Sequence, residues 1–354
     1  MSKKAIIAMS GGVDSSVAAF LMKSRGFDCI GATMKLYDND DLALSREKTC
    51  CSLDDIEDAR AVARRLDMPY YVFNFKEDFK EKVIDRFIFT YENGGTPNPC
   101  IDCNRYLKFE KLFQRMKELE YDFVVTGHYA RIEEKEGRFF LKKAVDASKD
   151  QSYVLYSLTQ QQLAHIIFPL GEYTKIQIRE IAEKQGFLNA RKKDSQDICF
   201  VPDGDYAKFI ENYTGKTYPP GDFVDSYGNV LGRHQGIIRY TNGQRKGLGV
   251  AFGKPMYVSG KNPKKNTVTL CSNDELFSAE LTADKFNWII SAPDKEVKCT
   301  AKVRYNMQEQ NATAYVIDEN TVKVVFDEPQ RAITKGQAVV LYDGDTVLGG
   351  GTIL

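Results

Sequence analysis

The first hundred and thirty residues alternate short apolar runs with amphipathic stretches. Lys4 to Met9 reads as a buried strand, followed by helix-forming residues from about Asp14 to Arg25 that Gly26 should terminate. Asp28 to Leu36 and Tyr70 to Phe75 give two further strands, and Tyr121 to Tyr129 a fourth. The intervening segments have helical spacing: Ser52, with Asp54 and Asp55, opens a helix through Leu66; another covers Phe79 to Glu92, and a third Arg105 to Leu119. Alternation of this kind predicts a parallel sheet covered on both faces, with ligands at the strand C-terminal ends. Beyond Ala130 a hairpin is expected at Glu136-Gly137, then helices over Ser152–His165 and Lys175–Gln185, the second capped by Thr174. From Gly204 the texture becomes all-β. Expected strands fall at Gly236–Tyr240, Met256–Val258, Thr267–Cys271, Lys298–Tyr305, Ala312–Ile317, Val322–Phe326, Ala338–Tyr342 and Val347–Leu354, with a break near Ser278–Asp284.

The stretch at the end of the first strand, Ala8-Met9-Ser10-Gly11-Gly12-Val13-Asp14-Ser15-Ser16, joins strand to helix through two glycines. In that setting backbone N–H groups and a helix N-terminus converge on an anion, and the serines add hydroxyl donors. No Gly-Lys-Ser/Thr ending is present, so this is not the P-loop of kinases, and the spacing does not fit the dinucleotide fingerprint. SGGVDSS resembles the PP-loop of the ATP pyrophosphatase superfamily, whose members transfer AMP to a substrate oxygen. The plainer reading is a tight turn with no ligand. Met34 and Gly127, at the ends of neighbouring strands, complete the expected nucleotide pocket.

Bulk composition adds limits. With 354 residues, 43% hydrophobic and 28% charged, the chain suits two or three domains, and no apolar run is long enough to span a bilayer. The N-terminus runs directly into the first strand, so no signal peptide is expected, and eight cysteines in a long chain suggest reactive thiols or ligands in a reducing cytoplasm. Net charge is zero, yet Leu231 to Lys265 carries eight Lys and Arg and no acid, a local basic surface able to bind a polyanion. A solvated face explains it equally well.

Thr96-Pro97-Asn98-Pro99-Cys100-Ile101-Asp102-Cys103 keeps the chain extended through two prolines and places Cys103 where a helix should begin, a position that lowers a thiol's pKa. Cys100 and Cys103 also have metal-ligand spacing, although structural zinc needs four ligands. Cys199 has polar flanks, whereas Cys29 and Cys271 sit in apolar runs and are assigned to cores. Cys50 and Cys51 stay undecided.

AMSGGVDSS, CCSLDDIEDAR, TPNPCIDCNRYLKF, TGHYAR, KDQSYVLYSL, DSQDICF, GQRKGLG and VRY together resemble the bacterial tRNA-specific 2-thiouridylases along essentially the whole chain. The resemblance implies a Rossmann-like α/β PP-loop domain with a helical tRNA-binding extension (1–203), a small central β domain (204–278) and a C-terminal β-barrel (279–354). It implies ATP and Mg²⁺ as cofactors, with Asp14 helping to place the metal. The substrate would be the wobble uridine of tRNAs for Lys, Glu and Gln, activated as an adenylate at O2. Cys199 would carry sulfur as a persulfide from a cysteine desulfurase or a sulfur-relay protein, and Cys103 would attack it, a disulfide bond being among the implied features. The resemblance puts Asn98, Pro99, Cys100, His128, Lys149, Asp150, Gln151, Arg304, Tyr305 and Gln337 against tRNA, with a core placement as the other reading of His128.

Many family members carry Asp where this chain has Cys100. Three thiols, Cys100, Cys103 and Cys199, therefore raise an alternative in which a [4Fe–4S] cluster carries the sulfide. A small-molecule adenylating ligase and a non-catalytic RNA-binding or redox-sensing protein are the rival readings. The ligase leaves Cys100, Cys103, Cys199 and the basic stretch without a role, and the binding protein predicts nucleotide binding without pyrophosphate release.

Overall fold

The computed structural model describes residues 2–38, 53–192 and 198–354. Cys50, Cys51, the Ser52 cap and residues 193–197 of the DSQDICF stretch lie outside them. The described chain forms two compact units, one of residues 1–83, 100–204 and 345–347, the other of 84–99, 205–344 and 348–354.

In the first unit, strands β1 (Lys4–Ala8), β2 (Asp28–Lys35), β3 (Tyr70–Asn74), β4 (Phe123–Val125) and β7 (Ile166–Ile167) form a sheet of order β3-β2-β1-β4-β7, every neighbouring pair parallel. Neighbouring β1 residues serve opposite faces. Ile7 packs with Val17, Met22, Ala59, Val62 and Ile178, whereas Ile6 packs with Ile30, Leu112, Phe113 and Met116. A two-sided core of this kind requires the continuous apolar run seen in the sequence. Helices α1 (Val13–Ser24), α2 (Leu53–Arg65) and α6 (Lys175–Lys184) contribute to the first face. The end of α1 follows from Gly26 at φ 80°: its N–H bonds the Lys23 carbonyl, and the Phe27 N–H bonds that of Met22.

Helix α3 (76–92) and helix α4 (99–118) each contain a π-helical stretch, Lys80–Ile84 and Cys103–Lys111 respectively. Strands β5 (Ala130–Lys135) and β6 (Arg138–Lys143) form the expected hairpin, with Glu136 and Gly137 both at positive φ as a type I′ turn requires.

Three expectations for this unit are corrected. Strand β4 stops at Val125, so Thr126-Gly127-His128 is a loop at its C-terminal end rather than strand. Ser152–His165 is not one helix: a 3₁₀ turn (Ser152–Leu155) and a short α5 (Gln160–Leu163) are separated because Thr159 and Gln162 form a capping box that starts a new helix. Helix α4 opens at Pro99, six residues before the expected start, since proline is pre-organised for the first helical position.

The second unit holds a sheet of order β10-β11-β8-β9, made of β8 (Gly221–Val224), β9 (Val230–His234), β10 (Tyr257–Asn262) and β11 (Thr267–Cys271). A helix, α7 (Tyr206–Thr214), precedes it, capped by Asp205 and ended by Gly215 in the left-handed region, where only strands were expected. Gly236–Tyr240 is a 3₁₀ turn (Ile237–Arg239), not a strand. β12 (Phe277–Trp288), β15 (Val322–Arg331), β14 (Gln310–Val316), β13 (Glu296–Lys302), β16 (Ala338–Asp343) and β17 (Thr346–Ile353) follow one another around a barrel that closes through β12–β17 pairing. The expected break at Ser278–Asp284 is instead the long strand β12. Its bulges let it pair with β15 over one half and β17 over the other.

Candidate functional site: the glycine loop and the cysteine helix

The glycine loop leaves β1 between Ala8 and α1. Met9 is buried; its N–H bonds the Ala32 carbonyl (2.8 Å) and its own carbonyl accepts from Thr33 Oγ1 (2.7 Å), so the strand end is clamped to β2. Gly11 turns at φ +71°, with Asp55 backbone packed where a side chain would stand. Gly12 caps α1, and its carbonyl accepts from the Ser15 and Ser16 hydroxyls (both 3.0 Å). The Ser10 N–H reaches Ser15 Oγ at 3.2 Å, and Val13 is buried under the turn. Gly127 lies against the backbone of Asp14 and Ser15, and an added Cβ would sit 2.9 Å from those atoms. The β4 loop can approach the glycine turn only as glycine. Met34 packs with Ile6, Ile30 and Ala32, on the β2 strand.

Some residues at this loop carry no motif signal in the sequence. Buried Asn189 donates to the Gly11 carbonyl and to Ser16 Oγ, each at 2.9 Å. Lys192 bonds Asp55 and Asp58 of α2 at 2.7 Å each. Lys175 Nζ sits 2.8 Å from both Asp14 carboxylate oxygens, and the Tyr129 hydroxyl donates to Asp14 Oδ1 at 2.7 Å. Tyr129 lies in the TGHYAR stretch, Asp55 and Asp58 in CCSLDDIEDAR and Lys175 directly after the Thr174 cap, whereas Asn189 and Lys192 lie in no motif. Asp14 is the carboxylate of this turn, and both its oxygens are held within the protein.

The cysteine helix differs from expectation in a way that matters chemically. Because α4 starts at Pro99, exposed Cys100 occupies the first turn and Cys103 the second. Burial pushes the Cys103 thiol up to about 11, with Cys100 and Asp102 adding to the rise and Lys108 opposing it. The helix N-terminus therefore does not activate Cys103. Partial burial outweighs it. Cys199 is part-buried, in a segment whose backbone carbonyl accepts from the Tyr37 hydroxyl (2.9 Å). Among the described residues no three His, Cys, Asp or Glu side chains gather into a metal-binding group. Cys29 and Cys271 are buried.

Residues expected against tRNA are engaged in various internal bonds. Asp150 accepts from the Ala144 N–H (3.0 Å) and from the Ser152 hydroxyl (2.7 Å), and Gln151 Oε1 accepts from the Tyr129 N–H (3.0 Å). Lys149 is half-buried beside them. His128 is buried, with the rings of Phe109 and Phe168 both 5.8 Å away, and desolvation holds its pKa well below the usual histidine value. In the second unit, Arg304 donates to the Ala332 carbonyl (2.6 Å) and Thr334 Oγ1 (3.0 Å), beside partly exposed Tyr305. Gln337 Nε2 donates to the Thr96 carbonyl (2.8 Å), and Lys261 Nζ to that of Gly95 (3.2 Å). These bonds hold the Gly95-Thr96 segment within the second unit.

The family model described as a tRNA methyl transferase HUP domain matches residues 3–203. A tRNA methyl transferase PRC-barrel domain matches 207–272, and an aminomethyltransferase beta-barrel domain 278–353. A solved 4-thiouridine synthetase–RNA complex with bound ATP shares 20% identity at a TM-score of 0.40, covering 60% of this chain and 50% of that one. The tRNA-specific 2-thiouridylase MnmA of Clostridioides difficile (strain 630) is 52% identical over 356 residues, 100% of this chain and 98% of the relative. That of Clostridium acetobutylicum is 51% identical over 354 residues, the whole of both chains. No described helix is long and apolar enough to cross a membrane. With such identity sustained from end to end, this chain belongs to the tRNA-specific 2-thiouridylase family.

Proposed function

We propose that this protein uses ATP to replace O2 of a tRNA wobble uridine with sulfur, in tRNAs for Lys, Glu and Gln. The observation that carries the reading is the pairing, in one unit, of a glycine-rich turn with the partly buried Cys103 and Cys199 thiols, in a chain half identical to 2-thiouridylases throughout. Methyl transfer, named in the family descriptions, gives the thiols no task.

The loop N–H groups and the α1 N-terminus hold the phosphates, while Lys175 keeps the Asp14 carboxylate in place. Mg²⁺, when bound, neutralises pyrophosphate as it leaves. The uridine O2 attacks the α-phosphorus, pyrophosphate departs, and a poor leaving group becomes AMP. Loaded by a sulfur donor, Cys199 carries a persulfide. The Cys103 thiolate attacks Cys199 Sγ; the Cys103–Cys199 disulfide forms, and the terminal sulfur leaves with the electron pair of the broken S–S bond as HS⁻. HS⁻ attacks C2, AMP departs with the former O2, and an external thiol reduces the disulfide. The base must leave its stack to be reached.

Release of AMP and pyrophosphate from ATP and Mg²⁺ is measured with and without unmodified tRNA(Glu), under anaerobic conditions. Release that needs tRNA and disappears on changing the wobble uridine to cytidine is the expected result. Release without tRNA would replace this reading with a small-molecule ligase.

A further inference from the structure

The π-helical stretch of α4 begins at Cys103 itself. In an α-helix a residue and the fifth one after it are about 140° apart around the axis. With i→i+5 hydrogen bonds, the fifth residue lies instead about one turn along, on nearly the same face. For Cys103 that residue is Lys108.

The Lys108 side chain is held from the other side. Its Nζ lies 3.4 Å from His128 Nε2, and His128 Nδ1 lies 2.7 Å from Thr126 Oγ1. An ammonium only donates, so Nε2 accepts from it, and the one ring proton of neutral imidazole sits on Nδ1 and points to Thr126. Burial between Phe109 and Phe168, together with the Lys108 charge, keeps that imidazole neutral. His128 thus serves as a fixed acceptor. The charged or titratable groups acting on the Cys103 thiol are Lys108 in its favour and Cys100 and Asp102 against it.

We propose that Lys108, oriented by neutral His128 and brought onto the Cys103 face by the widened helix, is the cation that stabilises the Cys103 thiolate during sulfur transfer. His128 is then a positioning residue, and the proton lost from the thiol passes to solvent. The proposal rests on the reading of Cys103 as the sulfur-transfer nucleophile.

The test is iodoacetamide alkylation of the full chain from pH 6.5 to 10. Tryptic peptide 87–105 contains both Cys100 and Cys103, and fragmentation separates the two sites. Lys108→Gln should displace the Cys103 profile upward by about one pH unit, so that alkylation at pH 8 slows about tenfold, while Lys108→Arg stays near the wild type. His128→Phe should fall between them. Cys29 and Cys271, buried and therefore protected only in the folded chain, report whether each variant is folded. A Lys108→Gln profile that superimposes on the wild type, or a Lys108→Arg variant slowed as much as Lys108→Gln, overturns the proposal. The second pattern would mean altered access rather than charge. Thiolation persisting in Cys103→Ser would overturn the underlying reading instead, and alkylation does not depend on that outcome.

Discussion

Gly11 and Gly12 look equivalent in the sequence, and the structure separates them. At Gly11 the backbone is left-handed, which costs an L-residue about 1–2 kcal/mol. An added Cβ would also lie 2.4 Å from the Asp55 carbonyl oxygen and 2.8 Å from Asp55 Cα. The first distance is about 1 Å inside van der Waals contact, and because the obstacle is backbone no side-chain rotation relieves it. Overpacking of that kind adds about 1–3 kcal/mol, so Gly11→Ala should cost about 2–5 kcal/mol. At Gly12 φ is −87°, and a Cβ meets only Ser10 Oγ at 3.5 Å. Loss of glycine from a cap and the stiffer unfolded chain nearly offset one another there, leaving less than about 1 kcal/mol. Thermal unfolding of the two variants, with amide exchange in β1 and α1, checks the contrast, at about 2–4 °C per kcal/mol for a unit of this size. The Gly11→Ala loop would also move its phosphate donors by about an ångström, enough to slow tRNA-dependent AMP release about 100-fold. Gly11→Ala within 0.5 kcal/mol of wild type, or Gly12→Ala equally destabilised, would refute the argument (thresholds of about the experimental error).

Asn189→Ala removes two hydrogen bonds to the loop and should cost about 2 kcal/mol and raise the ATP KM; steady-state kinetics with tRNA measures it. Lys261 is desolvated and its pKa is pulled down to about 8. Between that value and the ordinary lysine range the unfolded chain binds the extra proton, so stability of the second unit should rise by about 2–3 kcal/mol as pH climbs from 8 to 10.5. Melting curves of wild type against Lys261→Met check this, since the rise should vanish in the variant. Arg304→Ala should lower the melting temperature of the barrel as well as tRNA affinity, because its guanidinium holds the Ala332 carbonyl and Thr334. A loss of affinity with unchanged melting would assign Arg304 to tRNA alone.

Much of the fold was legible because local chemistry and global architecture agree. The apolar run at Ala5–Ala8 is long enough only for a strand buried on both faces, and Gly26, Thr174 and Gly137 each end or begin an element through their own backbone or side-chain chemistry. Failures came where spacing alone was ambiguous. Helical periodicity from Ser152 to His165 was genuine but interrupted by the Thr159 cap, and α7 was hidden within a region of strand-like texture.

The sequence by itself determined the glycine turn, the cysteine positions and the alternation that builds a parallel sheet, since each depends on residues adjacent in the chain. Only the tertiary structure decided what those residues experience. Cys103 is held half-buried one turn into α4 rather than activated at its start, and Lys108 reaches its face because the helix widens. Asp14 meets Lys175, 161 positions away, and Asn189 meets Gly11 across 178. Burial, charge pairing and helix width are sums over such distant neighbours, so no local pattern carries them.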